Sequence, residues 1–282
     1  MTEPAEVTAA EGAVRTEDHV RALHANLIEH YRFHARLAAS EFHHGTDVAW
    51  FLSGRRVNFL NAVMSATFVS THAAQRVDEV LGPFQDRGVP MRWWTDERGR
   101  PGELDANLER RGLEMVWDVP GMTVDLIDGL MDDPVEGVEV RPVRTHADLR
   151  TWFGAFAAGF GFDPHRESAW YEAFEELGVD PNGRFRHYTG FVDGEAVASG
   201  SMFVDHASGS AGIYHVGTRP DRRGRGIGRA VTLVPLLEAR EAGLRYGVLK
   251  ASHLGRSVYE HLGFAERARL RQYRWTPLSV AP

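Results

Sequence analysis

The chain has 282 residues, a length that fits two domains of ordinary size or one large domain. Hydrophobic residues make up 43% and charged residues 25% of the sequence, values typical of a folded, soluble protein, so a chain disordered throughout is excluded. A net charge of −7 argues against nucleic acid as a partner, and with no cysteine the chain has no disulfide, thiolate metal site or cysteine nucleophile.

Residues 1–15 contain three glutamates and no apolar run after a basic start, so they predict a disordered acidic leader and not a signal peptide. No apolar stretch approaches the roughly 20 residues that span a bilayer, so the sequence predicts no membrane association and a cytoplasmic location. Residues 16–125 alternate helical and strand patterns and form the first predicted domain. Its predicted helices are residues 17–40, 73–87 and 102–111. Its predicted strands are residues 48–52, 57–68, 91–95 and 113–119.

Residues 126–137 contain a cluster of Asp, Pro and Gly and are the predicted linker. The second predicted domain covers residues 138–276. Its predicted helices are residues 147–158, 166–177, 227–242 and 257–262. Its predicted strands are residues 138–143, 184–192, 196–204, 210–218, 246–251 and 268–275. The dipeptide Asp193-Gly194 predicts a hairpin between two of these strands.

The two halves share one order of elements, namely strand, helix, strand, helix, strand. This order runs through residues 57–119 in the first half and 210–275 in the second. The sequence therefore predicts one fold used twice and diverged beyond simple sequence matching.

The chemically informative stretch is residues 213–229, where a strand is followed by a basic glycine loop and a helix. The first turn of a helix has unpaired backbone N–H groups and partial positive charge. Glycines let a ligand approach this backbone closely, and arginines add full charge. Together these features predict a site for a diphosphate.

Two common phosphate loops do not fit this stretch. A Walker loop needs Lys and then Ser or Thr after its last glycine, whereas Arg229 and Ala230 follow here. A Rossmann loop needs Gly-x-Gly-x-x-Gly and an acidic residue about 20 residues further on. Here the glycines are Gly224, Gly226 and Gly228, and Glu241 falls within the helix.

The spacing Arg-x-x-Gly-x-Gly at residues 223–228 resembles the acetyl-CoA pyrophosphate loop of the GCN5-related N-acetyltransferase (GNAT) family. The Val-x-Thr-x-Pro strand end before it agrees with this resemblance. So does the sequence Tyr-Glu-x-Leu-Gly-Phe at residues 259–264, which is similar to a second element of the family. The resemblance covers residues 138–276. The first half resembles the family only in element order, since residues 67–75 replace the loop.

This resemblance implies an α/β (α+β) protein with two GNAT-like acyl-CoA N-acyltransferase domains, each a mixed, mostly antiparallel central sheet flanked by helices. The N-terminal domain is expected to be degenerate and the C-terminal one catalytic. The implied reaction moves an acetyl group from acetyl-CoA directly to a primary amine of a small molecule, such as an amino acid, an amine metabolite or an antibiotic.

The resemblance also implies roles for individual residues. Tyr259 would protonate the leaving sulfur. The N–H of Val216 would stabilise negative charge on the carbonyl oxygen, and the strand residues would bind the pantetheine. Ser252 and Gly255 stand where the family often has Asn and Ala. The expected cofactor contacts are Val216, Gly217, Thr218, Arg223, Gly224, Arg225, Gly226, Ile227, Gly228, Arg229, Ser252, Gly255 and Ser257.

The general base is the open question. Gly212 occupies the position of a glutamate that the family frequently uses, so that base is absent. His215 lies on the same strand, and imidazole is the side chain that exchanges a proton near neutral pH. Tyr214 and a chain of water molecules are the alternative bases. The alternative without a catalytic role is that His215 points to the opposite face of the strand and packs in the core.

Three further features complete the expectations. His30 and His34 lie one helical turn apart, but no third ligand is evident, so a solvated helix face is expected and no metal site. His43 and His44 are expected in a loop. If residues 160–165 line an acceptor cleft, the polar candidates for a cationic acceptor are Asp163, His165 and Glu167.

Two other functions compete with small-molecule acetylation. One is a non-catalytic acyl-CoA-binding or regulatory module, in which the absent glutamate reflects lost chemistry. The other is acetylation of a protein or peptide amine. A homodimer is compatible with the sequence, which does not specify the oligomeric state.

Overall fold

The computed structural model describes residues 4–97, 101–162 and 168–277. The chain folds as two compact units, and neither unit is continuous in sequence. Unit 1 comprises residues 1–26, 120–166 and 179–267, and unit 2 comprises residues 27–119, 167–178 and 268–282. Helix α1 (Pro4–His34) and strand β5 (Glu114–Asp125) each contribute residues to both units.

Unit 1 carries the segment with the glycine loop. Its strands are residues 121–125 of β5, β6 (Glu139–Pro142), β7 (Phe185–Val192), β8 (Glu195–Asp205), β9 (Ser210–Thr218) and β10 (Tyr246–Lys250). Its helices, besides the start of α1, are α4 (His146–Phe160), α6 (Ile227–Glu241) and α7 (Arg256–Glu260). The predicted hairpin at Asp193-Gly194 joins β7 and β8, which pair antiparallel.

The sheet of unit 1 is mixed and mostly antiparallel. Its strand order is β5-β10-β9-β8-β7-β6. Only the pairing of β10 with β9 is parallel. Helix α4 packs on β7, β8 and β9, and helix α6 packs on the same three strands. Buried residues of α6 such as Leu233 and Leu236 share a core with Ala211 and Ile213 of β9. In the first part of β9, therefore, the odd-numbered residues face α6.

The strands of unit 2 follow the order β1-β2-β3-β4-β11. The strands are β1 (Glu41–His44), β2 (Val48–Leu52), β3 (Asn61–Ala66), β4 (Met91–Asp96) and the part of β11 (Ala265–Trp275) from Leu270 onward. The helices, besides the end of α1, are α2 (Ala73–Asp86), α3 (Pro101–Glu109) and α5 (Ser168–Leu177). In α5, Trp170 stacks on Phe59 with ring centroids 4.4 Å apart. The core contains Val77, Leu81, Phe84, Trp93 and Tyr273.

The two predicted domains were each continuous in sequence, whereas each compact unit includes segments from both halves of the chain. The last strand of the predicted second domain pairs with β4 of unit 2, from Leu270 opposite Asp96 to Trp275 opposite Met91. In return, residues 121–125 of β5 pair with β10 of unit 1. Each sheet is therefore completed by a strand from the other half of the sequence.

Helix α1 begins earlier than the sequence predicted. Residues 4–15, expected to form a disordered leader, belong to its first turns. Pro4 suits the first helical position, and this stretch is rich in Ala and Glu, which are strong helix formers. The prediction of disorder was therefore wrong for residues 4–15.

Two histidine predictions are also wrong. His30 and His34 are 6% and 3% exposed, so they lie in the interior of unit 2 and not on a solvated face. His43 and His44 belong to β1, not to a loop. The strand was missed because its residues are mostly exposed and polar, as is typical of a short strand that pairs with one neighbour.

Across the described residues, no group of three or more His, Cys, Asp or Glu side chains is arranged to bind a metal ion. Within the same part of the chain, no helix combines the length and the apolar composition that crossing a membrane requires.

Candidate active site

Strands β9 and β10 separate part of the way along their length. Their parallel pairing runs from Ser210–Tyr246 to Gly212–Val248 and then ends. Strand β9 continues to Thr218, and among the described strands only β8 pairs with it beyond Gly212. The backbone of residues 213–218 therefore faces a gap on the side of β10, and its N–H and C=O groups are available to a ligand there.

The glycine loop lies at the end of this gap and leads directly into α6. Gly226 is the N-cap of the helix, with a left-handed φ of 74°, and no side chain caps the first turn. A Cβ at Gly226 would also approach Cγ1 of Val135 to 3.0 Å. Because an L side chain is strained at such a φ and crowded by Val135, only glycine fits here without cost. The exposed first-turn amides form an anion site.

The arginines of the loop differ in their partners. Arg219 bonds Asp221 and Glu195, and Arg222 bonds Glu195. The hydrogen bonds that Arg219 donates to Asp221 and Glu195 raise the pKa of its guanidinium above the usual range. Among the described residues, no carboxylate lies within ion-pair distance of the other loop arginines. These unpaired cations are Arg223, Arg225 and Arg229.

Arg229 has a buried hydrogen-bond donor that no described residue satisfies. Its Nε is buried and forms no hydrogen bond with any described residue. Its Nη2 reaches the carbonyl oxygen of Pro134 at 3.5 Å, the outer limit for such a bond. A buried donor without a partner is costly, so a ligand anion at the start of α6 would satisfy it. The residues present therefore fit a diphosphate group.

Arg223 holds the loop against the end of α4. Its Nε donates to the carbonyl oxygen of Thr218 at 3.1 Å and its Nη2 to that of Gly159 at 2.9 Å. Gly159 and Gly217 meet so closely that a Cβ on Gly159 would lie 2.9 Å from the carbonyl carbon of Gly217. This contact and the two hydrogen bonds fix β9, the loop and α4 relative to one another.

A β-bulge interrupts β9 at His215. Ser199 pairs with Gly217 and Ser201 with Tyr214, so two residues of β9 face the single residue Gly200. His215 takes a left-handed φ of 54°, which is strained for any residue other than glycine.

Two hydrogen bonds stabilise this bulge. Ser199 Oγ donates to the carbonyl oxygen of His215 at 2.8 Å, and Trp152 Nε1 donates to that of Gly200 at 3.0 Å. Simple alternation would have put His215 on the face of β9 opposite Tyr214, toward α6. The extra residue turns His215 toward α4, where its ring packs edge-on against Trp152 and Phe156.

His215 shares a hydroxyl with a second histidine. Its Nδ1 lies 3.2 Å from Ser201 Oγ, and Nδ1 of His187 lies 2.8 Å from the same oxygen. A hydroxyl has one proton to donate, so at least one of the two imidazoles carries its proton on Nδ1. When that imidazole is His215, its basic atom is Nε2.

Tyr259 lies at the start of the second motif. Its side chain is 7% exposed and belongs to the core that also contains Ile213 and Leu249. Burial raises the pKa of its phenol well above the usual range, so the hydroxyl keeps its proton. A Cβ at Gly255 would lie 2.9 Å from Cε2 of Tyr259, so glycine at this position leaves room for the ring.

The remaining predicted cofactor residues lie around α7. Ser252 accepts hydrogen bonds from the N–H of Gly255 through both its carbonyl and its hydroxyl oxygen. The carbonyl oxygen of Ser257 accepts from the N–H of His261. Val216 is half-buried against the α6 core, and Thr218 faces Gly228. Asp163, His165 and Glu167 lie outside the described residues.

Sequence reasoning missed three residues of this region. Trp152 and Ser199 hold the bulge, and Asn26 of α1 contacts β9. The contact of Asn26 joins residues 188 positions apart, so no local pattern indicates it.

These features define an acetyltransferase fold, with a parallel strand pair that separates, a bulge beside the gap and a glycine loop that opens a helix. The profile of the acetyltransferase (GNAT) family matches residues 147–264. This stretch of the chain belongs to the family.

Curated relatives extend the similarity. The mycothiol acetyltransferase of Geodermatophilus obscurus is 30% identical over 213 residues, which cover 68% of this chain and 64% of that protein. The enzyme of the same name from Actinosynnema mirum is 29% identical over 197 residues. The chain spans a little under two thirds of the length of these relatives, 64% in both cases.

Solved structures share the fold. A GCN5-related N-acetyltransferase from Kribbella flavida superposes with a TM-score of 0.65 at 18% identity, covering 86% of this chain and 91% of that one. A tandem GNAT protein from the clavulanic acid biosynthesis pathway superposes with a TM-score of 0.56 at 14% identity, over 87% of this chain and 86% of its own. At these identities the similarity concerns the fold.

Proposed function

We propose that the chain is an acetyl-CoA-dependent N-acetyltransferase that acts on a primary amine of a small molecule. The observation that carries the proposal is the gap between β9 and β10, which opens beside the uncapped first turn of α6. An extended thiol ester with a diphosphate at one end matches this combination, since the gap offers backbone groups and the helix start offers an anion site.

Each part of the site has its own task. The first-turn amides of α6, with Arg225 and Arg229, would hold the diphosphate, and residues 216–218 would bind the pantetheine arm. When bound, acetyl-CoA supplies an acetyl group that is activated for transfer. The N–H of Val216 would donate to the carbonyl oxygen as negative charge develops on it.

Two side chains would handle protons. Tyr259 keeps its phenolic proton because it is buried, so its hydroxyl would have a proton to donate to the leaving sulfur. His215 would accept the proton of the amine at Nε2, with Nδ1–H directed to Ser201 Oγ. Direct transfer agrees with a sequence that has no cysteine to form an acyl-enzyme.

Unit 2 supports the prediction that the N-terminal half is a degenerate copy. Its β3 and β4 form a parallel pair joined by α2, as β9 and β10 are joined by α6. Between β3 and α2, however, residues 67–72 contain no glycine and form a short 3-10 helix at Ser70–His72. We therefore expect one CoA site per chain.

The names of the relatives favour a small-molecule acceptor, because several of them are mycothiol acetyltransferases. The predicted cytoplasmic location and the absence of nucleic acid as a partner rest on the sequence alone. Gly212 stands where the family frequently uses a glutamate base, so we expect an amine whose proton is removed by another group.

A thiol-release assay with acetyl-CoA and a panel of primary amines tests this function. The panel contains serine, glucosamine, spermidine, kanamycin and a peptide with a free N-terminus. We expect amine-dependent thiol release for at least one small amine, with the mass of one acetyl group added to it. Release with the peptide alone would favour peptide acetylation.

The competing function is a CoA-binding module without catalysis. Tight binding of CoA with no amine-dependent thiol release for any member of the panel would support it and overturn the proposed reaction. One specific observation favours catalysis, namely the bulge that turns His215 toward α4 beside the gap. His215 has a left-handed φ there in the middle of a strand, and backbone strain of this kind clusters at functional sites.

A further inference from the structure

Asn26 of α1 fills the space beside Gly212 on β9. Within unit 1, an ideal Cβ at Gly212 would lie 1.9 Å from Oδ1 of Asn26. Asn26 is fully buried. Any side chain at position 212, including the glutamate that the family frequently uses there, is therefore excluded by this carboxamide.

The orientation of the Asn26 carboxamide is determined by its partners. Its Nδ2 donates to the carbonyl oxygen of Phe203 at 3.2 Å and to Ser210 Oγ at 3.0 Å. Its Oδ1 accepts from the hydroxyl of Tyr214 at 2.8 Å. A flipped amide would place Oδ1 against the carbonyl oxygen of Phe203, two acceptors facing each other, so only the observed orientation is stable.

This orientation decides what Tyr214 can do. A phenol has one proton, and here it is directed to Asn26, so toward any other polar group the oxygen acts as an acceptor. Tyr214 is half-buried and directly precedes His215. The bulge brings both side chains to the same face of β9, since two residues there oppose one of β8.

We infer that Asn26 is a positioning residue, which holds the Tyr214 hydroxyl so that its oxygen accepts an N–H of the amine acceptor beside His215. The inference rests on the proposed function and deepens it, because it replaces the absent residue-212 carboxylate with a neutral acceptor. Asn26 lies outside residues 147–264, the part of the chain that the family profile matches. The N-terminal helix thus completes the acceptor side of the site.

A double-mutant cycle separates this role from mere packing. Asn26→Leu keeps the branched shape of the side chain and removes its polar atoms, and Tyr214→Phe removes the hydroxyl. With the most active amine of the panel, we expect Asn26→Leu to lower kcat/KM about tenfold, the effect of one hydrogen bond of ordinary strength. The loss should appear in the KM of the amine, with the affinity for CoA unchanged. In the Tyr214→Phe background the same substitution should have no further effect.

A second readout does not depend on turnover. The same amine is titrated by calorimetry into protein saturated with CoA, which carries no acetyl group and so gives a dead-end complex. Amine affinity should fall in Asn26→Leu and in Tyr214→Phe, and no further in the double variant. Ser210→Ala removes the hydroxyl that accepts a hydrogen bond from Asn26 Nδ2 and leaves Tyr214 in place. It should weaken amine binding less than Asn26→Leu does. This variant serves as the probe if Asn26→Leu does not fold.

The outcomes distinguish the two proposals. If Asn26→Leu lowers the melting temperature while amine affinity and KM stay unchanged, or if its kinetic effect is equal in both backgrounds, the positioning role is wrong and the acetyltransferase stands. If the unaltered chain acetylates no amine of the panel, the proposed function falls and this inference with it.

Discussion

Tyr259, with its buried hydroxyl, is the residue on which the proposed chemistry most depends. Replacing it with phenylalanine removes the acid and preserves the ring that packs in the core. We expect Tyr259→Phe to lower kcat by about a hundredfold or more, the usual contribution of general acid catalysis, with unchanged CoA affinity.

A second buried tyrosine of unit 1 provides the control. Tyr188 is fully buried in the same core, and its hydroxyl donates to Glu238 Oε2 at 2.6 Å. Tyr188→Phe should reduce stability by about 1 kcal/mol, the worth of one hydrogen bond, and leave kcat unchanged. Equal kcat values for Tyr259→Phe and the unaltered chain would exclude Tyr259 as the acid.

His34 makes the stability of unit 2 depend on pH. Burial lowers the pKa of its imidazole from 6.5 to about 4, and Nδ1 lies 2.7 Å from the carbonyl oxygen of His30. Between these two values the unfolded chain binds more protons than the folded one, so stability rises with pH across this window. The contribution is complete above pH 6.5 and is lost as the pH falls toward 4.

The size of this effect is about 3 kcal/mol, from the shift and the free energy of one pKa unit. We expect urea unfolding at a series of pH values to show a steeper loss of stability on acidification in the unaltered chain than in His34→Phe. Parallel curves for the two proteins would show that His34 is protonated equally in both states.

Single residues also mark where sequence reasoning stops. Alternation along residues 210–218 correctly predicted the strand, but it could not indicate the bulge, because an extra residue in β9 is determined by its partner β8 and by Trp152. The side of the sheet that His215 faces followed from that bulge. The contacts of Asn26 depend on distant chain segments in the same way.

At the scale of elements, patterns with one buried face were predicted well. Strands β2 and β9 begin and end at the predicted residues, and α2 differs only at its last residue. The polar strand β1 and the first turns of α1 were missed, because neither shows the apolar periodicity on which such predictions depend.

Strand β11 is the element whose removal tests the strand exchange. It pairs with β4 through six residue pairs, from Leu270 to Trp275, and contributes the buried Tyr273 to the core of unit 2. A chain ending at residue 267 loses this pairing and should be destabilised by at least about 3 kcal/mol, the cost of removing one large buried side chain. A chain ending at residue 277 keeps the strand and is the control.

Thermal unfolding and size-exclusion chromatography of the two truncated chains give the comparison. We expect a lower melting temperature or aggregation for the shorter chain, since β4 then exposes unpaired N–H and C=O groups. Identical melting temperatures would contradict the assignment of β11 to the sheet of unit 2.

For the whole molecule, the sequence predicted two domains and one loop that binds the cofactor, but not which strands complete each sheet. Pairing between distant strands leaves little trace in a single sequence, because many strands of similar composition are compatible partners. The chain therefore passes from one unit to the other after residues 26, 119, 166, 178 and 267, whereas the sequence predicted a single change at the linker, residues 126–137. The glycine loop between β9 and α6 was predictable as a local element because its pattern lies in neighbouring residues, and its cofactor role stays a prediction.

Calorimetric titration of the intact chain with CoA tests the central claim most directly. Gly226→Ala places a Cβ at the left-handed N-cap of α6, and Gly243→Ala places one at an equally left-handed position, φ 81°, just beyond the other end of the same helix with open space around it. The account predicts one CoA per chain, retained in Gly243→Ala and lost in Gly226→Ala. Two CoA per chain, or unchanged affinity in Gly226→Ala, would contradict it.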